Sequence, residues 1–567
     1  MRKTVAPFTL LLAMTAFPEG QAPGDRPAPN PRATRSVVMA TNGIIATSQP
    51  LASAAGLRVL LQGGNAIDAA VTAAAVLAVV EPTMNGIGGD LFALVHEGRG
   101  GTIKALNASG RAPAAATPDE FRRRKLDQIP YRGPLSISVP GVVDGWNELL
   151  SKYGTITLAQ ALEPAIGYAR NGFPVAEIVS VQWKDAEGAL ARDPAAAATF
   201  LPGGKAPGAG DIFRNARLAA TLDTLAKGGR DAFYRGPIGQ AIAADMKRRD
   251  ALLAETDLAE HASNWVEPLS TNYRGYDVLE LPPNTQGIVA LEMLNILEGY
   301  DLKSLGHNSA AYLHLLVEAK KAAFADRDAW IADFESVPPA VIRRLLSKEY
   351  GAQRRKAINP DRAVESYPAL AVDGRTAPEE HPPEARGDTI YLTAADSHGN
   401  VISLIQSIFE NFGSGIVAGE TGIVLHNRGS LFSLSPRHPN VVAPGKRPFH
   451  TLVPAMVLRE KRPWLSFGVM GGDMQPQGHV QVLLNIIDFG MNVQEAGEAP
   501  RFRHSAAGLA LESAISAEAR FGLNQRGHRI ISTVGAFGGY QGILIDPRTH
   551  VLMAGSDPRK DGLAVGY

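Results

Sequence analysis

The sequence predicts a mixed α/β (α+β) fold with a large core, and three stretches carry that expectation. Residues 66–80 are almost uniformly apolar and alanine-rich and stop at Glu81-Pro82, which reads as a buried helix. From Thr389 onward Ile390, Leu392 and Ala394 fall on one side and Tyr391 and Thr393 on the other, the period of a half-buried strand. Residues 118–270 read as mainly helical, broken by turns such as Pro202-Gly203-Gly204. With 567 residues the chain has enough length for a sizeable core.

Composition narrows the function classes. Lys plus Arg equals Asp plus Glu at 56 each, and no basic tract appears, which argues against nucleic acid or an anionic membrane as partner. The 58 glycines and 39 prolines are dispersed, with no internal repeat. With no cysteine there is no disulfide, no thiol nucleophile and no lipid-anchored N-terminal Cys. Arg2 and Lys3, the mostly apolar run 5–17 and the small-x-small Gly20-Gln21-Ala22 read as an export signal cut after Ala22, with a disordered tail as the other reading. The expected product is exported, periplasmic or extracellular, with no membrane anchor, because no apolar run is long enough to span a bilayer.

In chain order, 23–35 reads as a loose leader, and a helix begins near Pro50 and runs to Gly63-Gly64-Asn65. The glycine-rich 85–90 leads into a strand at 91–96. A dinucleotide loop would follow a strand and open a helix, so a nucleotide site is excluded. His96-Glu97 has no second histidine at helical spacing, which removes a zinc motif. Arg111 stands among small residues at 107–113, framed to fork onto a carboxylate, with a solvated surface arginine as the other reading of the same pattern. Pro282-Pro283-Asn284-Thr285 enters a helix at 289–297, and 310–332 is a longer one holding Glu318 and Phe324-Ala325-Asp326-Arg327. A poorly patterned linker, 359–384, runs to the strand at Thr389, and Asp396-Ser397-His398-Gly399-Asn400 turns it back into 401–407. A later strand, 464–469, closes on Gly471-Gly472-Asp473. Paired glycines there expose backbone N–H groups, as an oxyanion hole requires and as a plain turn also does.

Thr389 therefore stands where a proline-broken segment meets a core strand. A cut just before it would place a hydroxyl and an α-amine on one residue. That amine titrates near pH 8 and can take the hydroxyl proton without a histidine. The other reading is a β-branched residue that merely starts a strand. A serine hydrolase fits poorly, for there is no Gly-x-Ser-x-Gly elbow.

Together, Gly63-Gly64-Asn65-Ala66, the 86–90 segment, Gly110-Arg111-Ala112-Pro113, 318–327, Gly387-Asp388-Thr389, 412–415, Gly471-Gly472 and Ser556-Asp557-Pro558-Arg559 resemble the γ-glutamyltranspeptidase family of N-terminal-nucleophile hydrolases. The resemblance spans about 40–567. It implies a four-layer αββα sandwich and a precursor that cuts itself between Asp388 and Thr389. The products would be a large subunit, 23–388, and a small one, 389–567, intertwined in one catalytic domain. It further implies Thr389 as nucleophile, Gly471 and Gly472 as oxyanion donors, Ser407 as a supporting hydroxyl and Arg111 as holder of the substrate's α-carboxylate. The acyl group would pass to water or to an amino acid or peptide, with no metal or organic cofactor.

The departures from the family pattern lie in the substrate pocket. Typical transpeptidases grip the γ-glutamyl group with Asn, Gln, Asp and two adjacent Ser. The matching positions here hold Phe409, Arg428, Leu431 and His450-Thr451, which makes Arg428, His450 and Thr451 candidate substrate-binding residues. Leu431 cannot accept a bond from an ammonium group, and Arg428 would repel one. The segment 432–449 is also shorter than the lid-bearing loop of many members. This pattern is closer to the branch with glutaryl-cephalosporin acylase-like enzymes. The expectation is a γ-glutamyl hydrolase or transferase acting on glutathione or related compounds. The alternative is a dicarboxylic-acid (glutaryl-type) amide acylase, and the non-enzyme alternative is an uncleaved periplasmic binding protein.

Overall fold

The computed structural model describes residues 34–98, 101–372 and 389–567. The expected export signal, the leader up to residue 33, and Asp388 with the end of the linker lie outside the described residues.

Local chemistry sets the first elements. Proline opens the Pro50–Leu61 helix, and Gly63, at φ +92°, ends it in a conformation that suits glycine. Asn65 then caps Ala66–Val80 through Ile67 and Asp68 N–H, while Asp68 returns a bond to the cap in a capping box. All fifteen residues of that helix are buried, as an apolar run with no polar face demands. Its first N–H donates to Asp396 Oδ2 at 2.9 Å, tying the helix to the turn that follows the Thr389 strand.

Two seven-stranded antiparallel sheets form the centre. One runs in the order Leu563–Gly566, Gly43–Thr47, Ile390–Asp396, Val401–Ser407, Asp90–His96, Ile103–Ala108 and Asn264–Val266. The other runs Val38–Ala40, Leu552–Ser556, Tyr540–Ile545, Arg462–Val469, Ala455–Arg459, Tyr276–Glu280 and Leu269–Tyr273. Between them lies a shared layer that includes Phe92, Leu94, Tyr391, Ile405, Met456 and Ile543. The outer face of the first sheet packs on Ala66–Val80 and Val142–Tyr153. The outer face of the second packs on Gly287–Leu297 and Met474–Ile487. The layers are helix, sheet, sheet, helix, which is the αββα sandwich expected from the resemblance.

One expectation needs correction. Alternation predicts a half-buried strand from Thr389, yet every residue of Ile390–Asp396 is buried. Ile390, Leu392 and Ala394 face the helices, whereas Tyr391 and Ala395 face the second sheet. The polar positions that resembled a solvent face lie between the sheets with their hydroxyls paired. Tyr391 Oη lies 2.7 Å from Ser403 Oγ, and Thr393 Oγ1 lies 2.7 Å from Ser466 Oγ. Tyr391 also needs Gly468 opposite it, because a Cβ there would come within 2.5 Å of the ring. Among the described residues no helix is long and apolar enough to cross a membrane.

Candidate active site

Thr389 is 1% exposed at the mouth of the central hairpin. The ladder pairs Ile390 with Gln406, so one step further along the same register sets Thr389 opposite Ser407. On its other side Ser407 pairs with Asp90, the first residue of Asp90–His96. The glycines before Asp90 permit this approach, since a Cβ on Gly89 would sit 2.4 Å from the Ser407 carbonyl oxygen. Ser407 Oγ accepts the Phe409 N–H at 2.7 Å and turns the chain out of the sheet. Phe409 is held at φ +77°, a left-handed conformation that costs a bulky residue of order 1–3 kcal/mol.

The Arg462–Val469 strand ends beside this point in the Gly471-Gly472 turn. Gly471 has φ +110° and Gly472 φ +58°, so both positions call for glycine. Their carbonyls are taken by the start of the next helix, Gly471 by Met474 N–H at 2.9 Å and Gly472 by Gln475 N–H at 3.2 Å. Neither glycine's own N–H is given to a carbonyl among the described residues. Gly471 also borders a cavity of about 440 Å³ lined by Arg503, Ser505, Ser532 and Thr533.

Behind Ser407 is a buried polar cluster centred on Asp90. Oδ1 accepts the Gly110 N–H at 2.8 Å, and Oδ2 accepts His450 Nε2–H at 3.1 Å, with His426 Nδ1 at 3.0 Å. Burial alone would raise the Asp90 carboxyl. The neighbouring His426 and the histidine hydrogen bonds overrule it and hold the group well below the usual carboxylate range. His450 is pushed the other way, down to about 3, first by burial and then by the charge of Arg428. It is a neutral imidazole whose Nδ1 accepts the Leu452 N–H, which leaves Nε2 as the donor.

Arg428 completes the cluster. Its guanidinium is fully buried, 4.0 Å from Asp90 and 4.2 Å above the Phe409 ring. Nη1 donates to Thr451 Oγ1 at 3.0 Å, but Nε and Nη2 have no hydrogen-bond partner among the described residues. Burial lowers this guanidinium to about 9, so it remains charged at neutral pH. Leu431, buried in an apolar cluster with Phe409, offers no countercharge.

Four of the residues singled out from sequence thus converge with Thr389 and Ser407 on one buried region: Arg428, His450, Thr451 and Phe409. Arg111 is directed elsewhere. Its guanidinium donates to the Gly445 carbonyl at 3.0 Å and to Asn264 Oδ1 at 3.4 Å. A separate trio, His314, Glu318 and His528, has metal-ligand composition, but its atoms are already used by one another and by neighbours. His314 Nδ1 and His528 Nε2 are bonded to each other at 2.8 Å, and Glu318 is paired with Lys321 and the Tyr367 hydroxyl.

The profile of the family described as Gamma-glutamyltranspeptidase matches residues 52–567. The chain belongs to the γ-glutamyltranspeptidase family. It is 39% identical over 542 residues to the glutathione hydrolase-like YwrD proenzyme of Bacillus subtilis (strain 168), covering 93% of this chain and 99% of that one. It is 38% identical over 537 residues to the acylase ACY 1 proenzyme of Pseudomonas sp. (strain SE83), covering 92% and 94%. Among solved structures it is similar to the cephalosporin acylase from Bacillus halodurans, with TM-score 0.87 and 40% identity over 96% of this chain and 99% of that one.

As a γ-glutamyltranspeptidase-family protein the chain is an amide-bond hydrolase or acyltransferase, of a kind whose relatives are named as proenzymes. Three features of the site went unread in the sequence. In the sequence Asp90 is only the end of a glycine segment, and nothing local singles out His426 or Gln286. No local pattern could connect them, because His450 reaches Asp90 across 360 positions.

Proposed function

We propose that the chain is an N-terminal-threonine amidohydrolase whose acyl donors end in a carboxylate and carry no α-ammonium group, as in monoamides of short dicarboxylic acids. The observation that carries this reading is the buried Arg428 guanidinium, two of whose N–H-bearing nitrogens have no hydrogen-bond partner among the described residues. A substrate carboxylate would supply the missing hydrogen-bond acceptor.

In this reading Thr389 Oγ first attacks the Asp388 carbonyl carbon. The acyl group moves from nitrogen to oxygen, and one water hydrolyses the ester, freeing the Thr389 amine and the Asp388 carboxylate. Residues 1–22 act as an export signal, 23–388 become the large subunit and 389–567 the small one. In turnover the Thr389 amine takes the hydroxyl proton as Oγ attacks the substrate carbonyl, and Gly471 and Gly472 N–H face the developing oxyanion. The proton passes to the leaving amine. Water, or an acceptor amine, then releases the acyl group from Thr389 by the same route. Ser407, opposite the nucleophile, supports it.

The second reading keeps γ-glutamyl compounds as donors, which the 39% identity to a glutathione hydrolase-like protein favours. Such donors bring an ammonium group. Asp90, the central carboxylate, is already taken by Gly110, His426 and His450, and Leu431 is apolar. Comparing kcat/KM for glutaryl and γ-glutamyl anilides of the same amine tests the choice. A glutaryl preference is expected; a clear γ-glutamyl preference would remove Arg428 as an acyl-carboxylate anchor.

The titration behaviour follows from the same groups. Between pH 6 and 8, Asp90 stays ionised, His450 stays neutral and Arg428 stays charged, so KM for carboxylate-bearing donors should be flat. Over that range kcat should climb as the Thr389 amine, which titrates at about 7.7–8.0 in model peptides, loses its proton. A pH-rate profile that moves KM instead would place a titrating group in the anchor.

A further inference from the structure

Gln286 lies between the strand Tyr276–Glu280 and the helix Gly287–Leu297, fully buried. Its Nε2 donates to two backbone carbonyls at 3.0 Å each, Thr451 and Gly472. Its Oε1 accepts Arg327 Nη1 at 2.9 Å. The amide therefore has both protons and its oxygen committed, and the guanidinium fixes which end is oxygen. Arg327 is itself immobilised. It donates to Asp473 Oδ1 and Asp328 Oδ1 at 2.7 Å each and lies over the Phe324 ring at 4.0 Å. Asp473 directly follows the glycine turn, so Arg327 holds that turn both directly and through Gln286.

The two carbonyls that Gln286 joins belong to different halves of the site. Gly472 is part of the oxyanion turn. Thr451 receives Arg428 through its hydroxyl. We propose that Gln286, oriented by Arg327, is a positioning residue that sets the oxyanion turn at a fixed distance from the acyl-carboxylate anchor. A donor of the right length then has its carbonyl oxygen at the glycines when its far carboxylate reaches Arg428. The inference rests on the roles given above to Gly471, Gly472 and Arg428. Because one amide serves both halves, loosening it disturbs transition-state binding and anchor placement together, a loss that a merely structural residue does not produce.

The test uses the full-length protein and counts free Thr389 N-termini, so that incomplete self-cleavage is separated from slow turnover. Gln286→Leu keeps the volume and removes the three bonds. Turnover per free terminus is expected to fall about ten- to a hundredfold on a neutral acyl anilide, less than loss of an oxyanion donor outright. KM for a glutaryl anilide should rise as well. Arg327→Lys keeps one donor nitrogen for Gln286 and Asp473, which share Arg327 Nη1, but loses the Nε bond to Asp328 that fixes the fork, and should fall between Gln286→Leu and wild type. If Gln286→Leu does not fold, Gln286→Glu, which turns an acceptor toward both carbonyls, should show the same loss. Full turnover per terminus in these variants, with only a lowered Tm, would overturn the proposal. A wild-type protein with no free Thr389 terminus would instead bring down the functional reading beneath it.

Discussion

Thr389→Ala is expected to stay a single uncut chain and to turn over no amide substrate. The variant loses the oxygen that attacks in both reactions, so neither the self-cleavage ester nor the acyl-enzyme can form. Without the cut there is no α-amine to act as base either, and the two losses are one event rather than two additive ones. The fold should survive. Thr389 stands at the end of its strand, and shortening one buried side chain by a methyl and a hydroxyl is within the common range of about 1–2 kcal/mol. A retained cooperative melting transition with no product would then identify a chemical defect. Thr389→Ser keeps the oxygen and should still cut itself and turn over substrate. Electrophoresis after incubation and an anilide assay check both. Residual turnover by the alanine variant above the uncatalysed rate would assign the nucleophile elsewhere.

Arg428→Gln is expected to raise KM for carboxylate-bearing acyl donors about ten- to over a hundredfold while leaving kcat within a few fold. Loss of a charge-assisted bond to a carboxylate costs roughly 1.5–3 kcal/mol. Glutamine is chosen because it fills much of the space and can still reach Thr451. Asp90 keeps Gly110 and His450 as donors and His426 at 3.0 Å, so the variant leaves no isolated buried charge. Neutral acyl donors should be unaffected, and this contrast separates lost recognition from general damage. If Arg428→Gln is silent and Arg111→Ala raises KM instead, the anchor is Arg111.

Much of the scaffold was legible because it is written in local patterns. The Ala66–Val80 helix was readable to the residue, since an all-apolar run bounded by Asn65 and Glu81-Pro82 admits one interpretation. The hairpin 390–407 was equally clear from alternation and turn residues. Alternation makes the Thr389 strand look half-buried because Tyr391 and Thr393 are polar, and it cannot distinguish water from an interior where Ser403 on the neighbouring strand and Ser466 on the facing sheet pair their hydroxyls. The four layers came through the family resemblance rather than from periodicity.

The site divides along the same line. Thr389, Gly471 and Gly472 could be picked out by what their residue types do at the start or end of a strand. Arg428, Leu431 and His450 stood out only as departures from a family pattern. That Asp90 lies at the centre of them follows from strand register, which sets it opposite Ser407, and from loops hundreds of positions apart. The closing Ser556-Asp557-Pro558-Arg559, flagged in the sequence as a family signature, is engaged in bracing. Asp557 pairs with Arg501 and Arg559 with Glu512.

The central claim is that Thr389 becomes an N-terminus, and the most direct test is the intact mass of the purified protein with N-terminal sequencing after incubation at neutral pH. Two fragments, the smaller beginning Thr389-Ile390-Tyr391, are the predicted result. One uncut chain that still hydrolyses substrate, or a small fragment starting at any other residue, would contradict it.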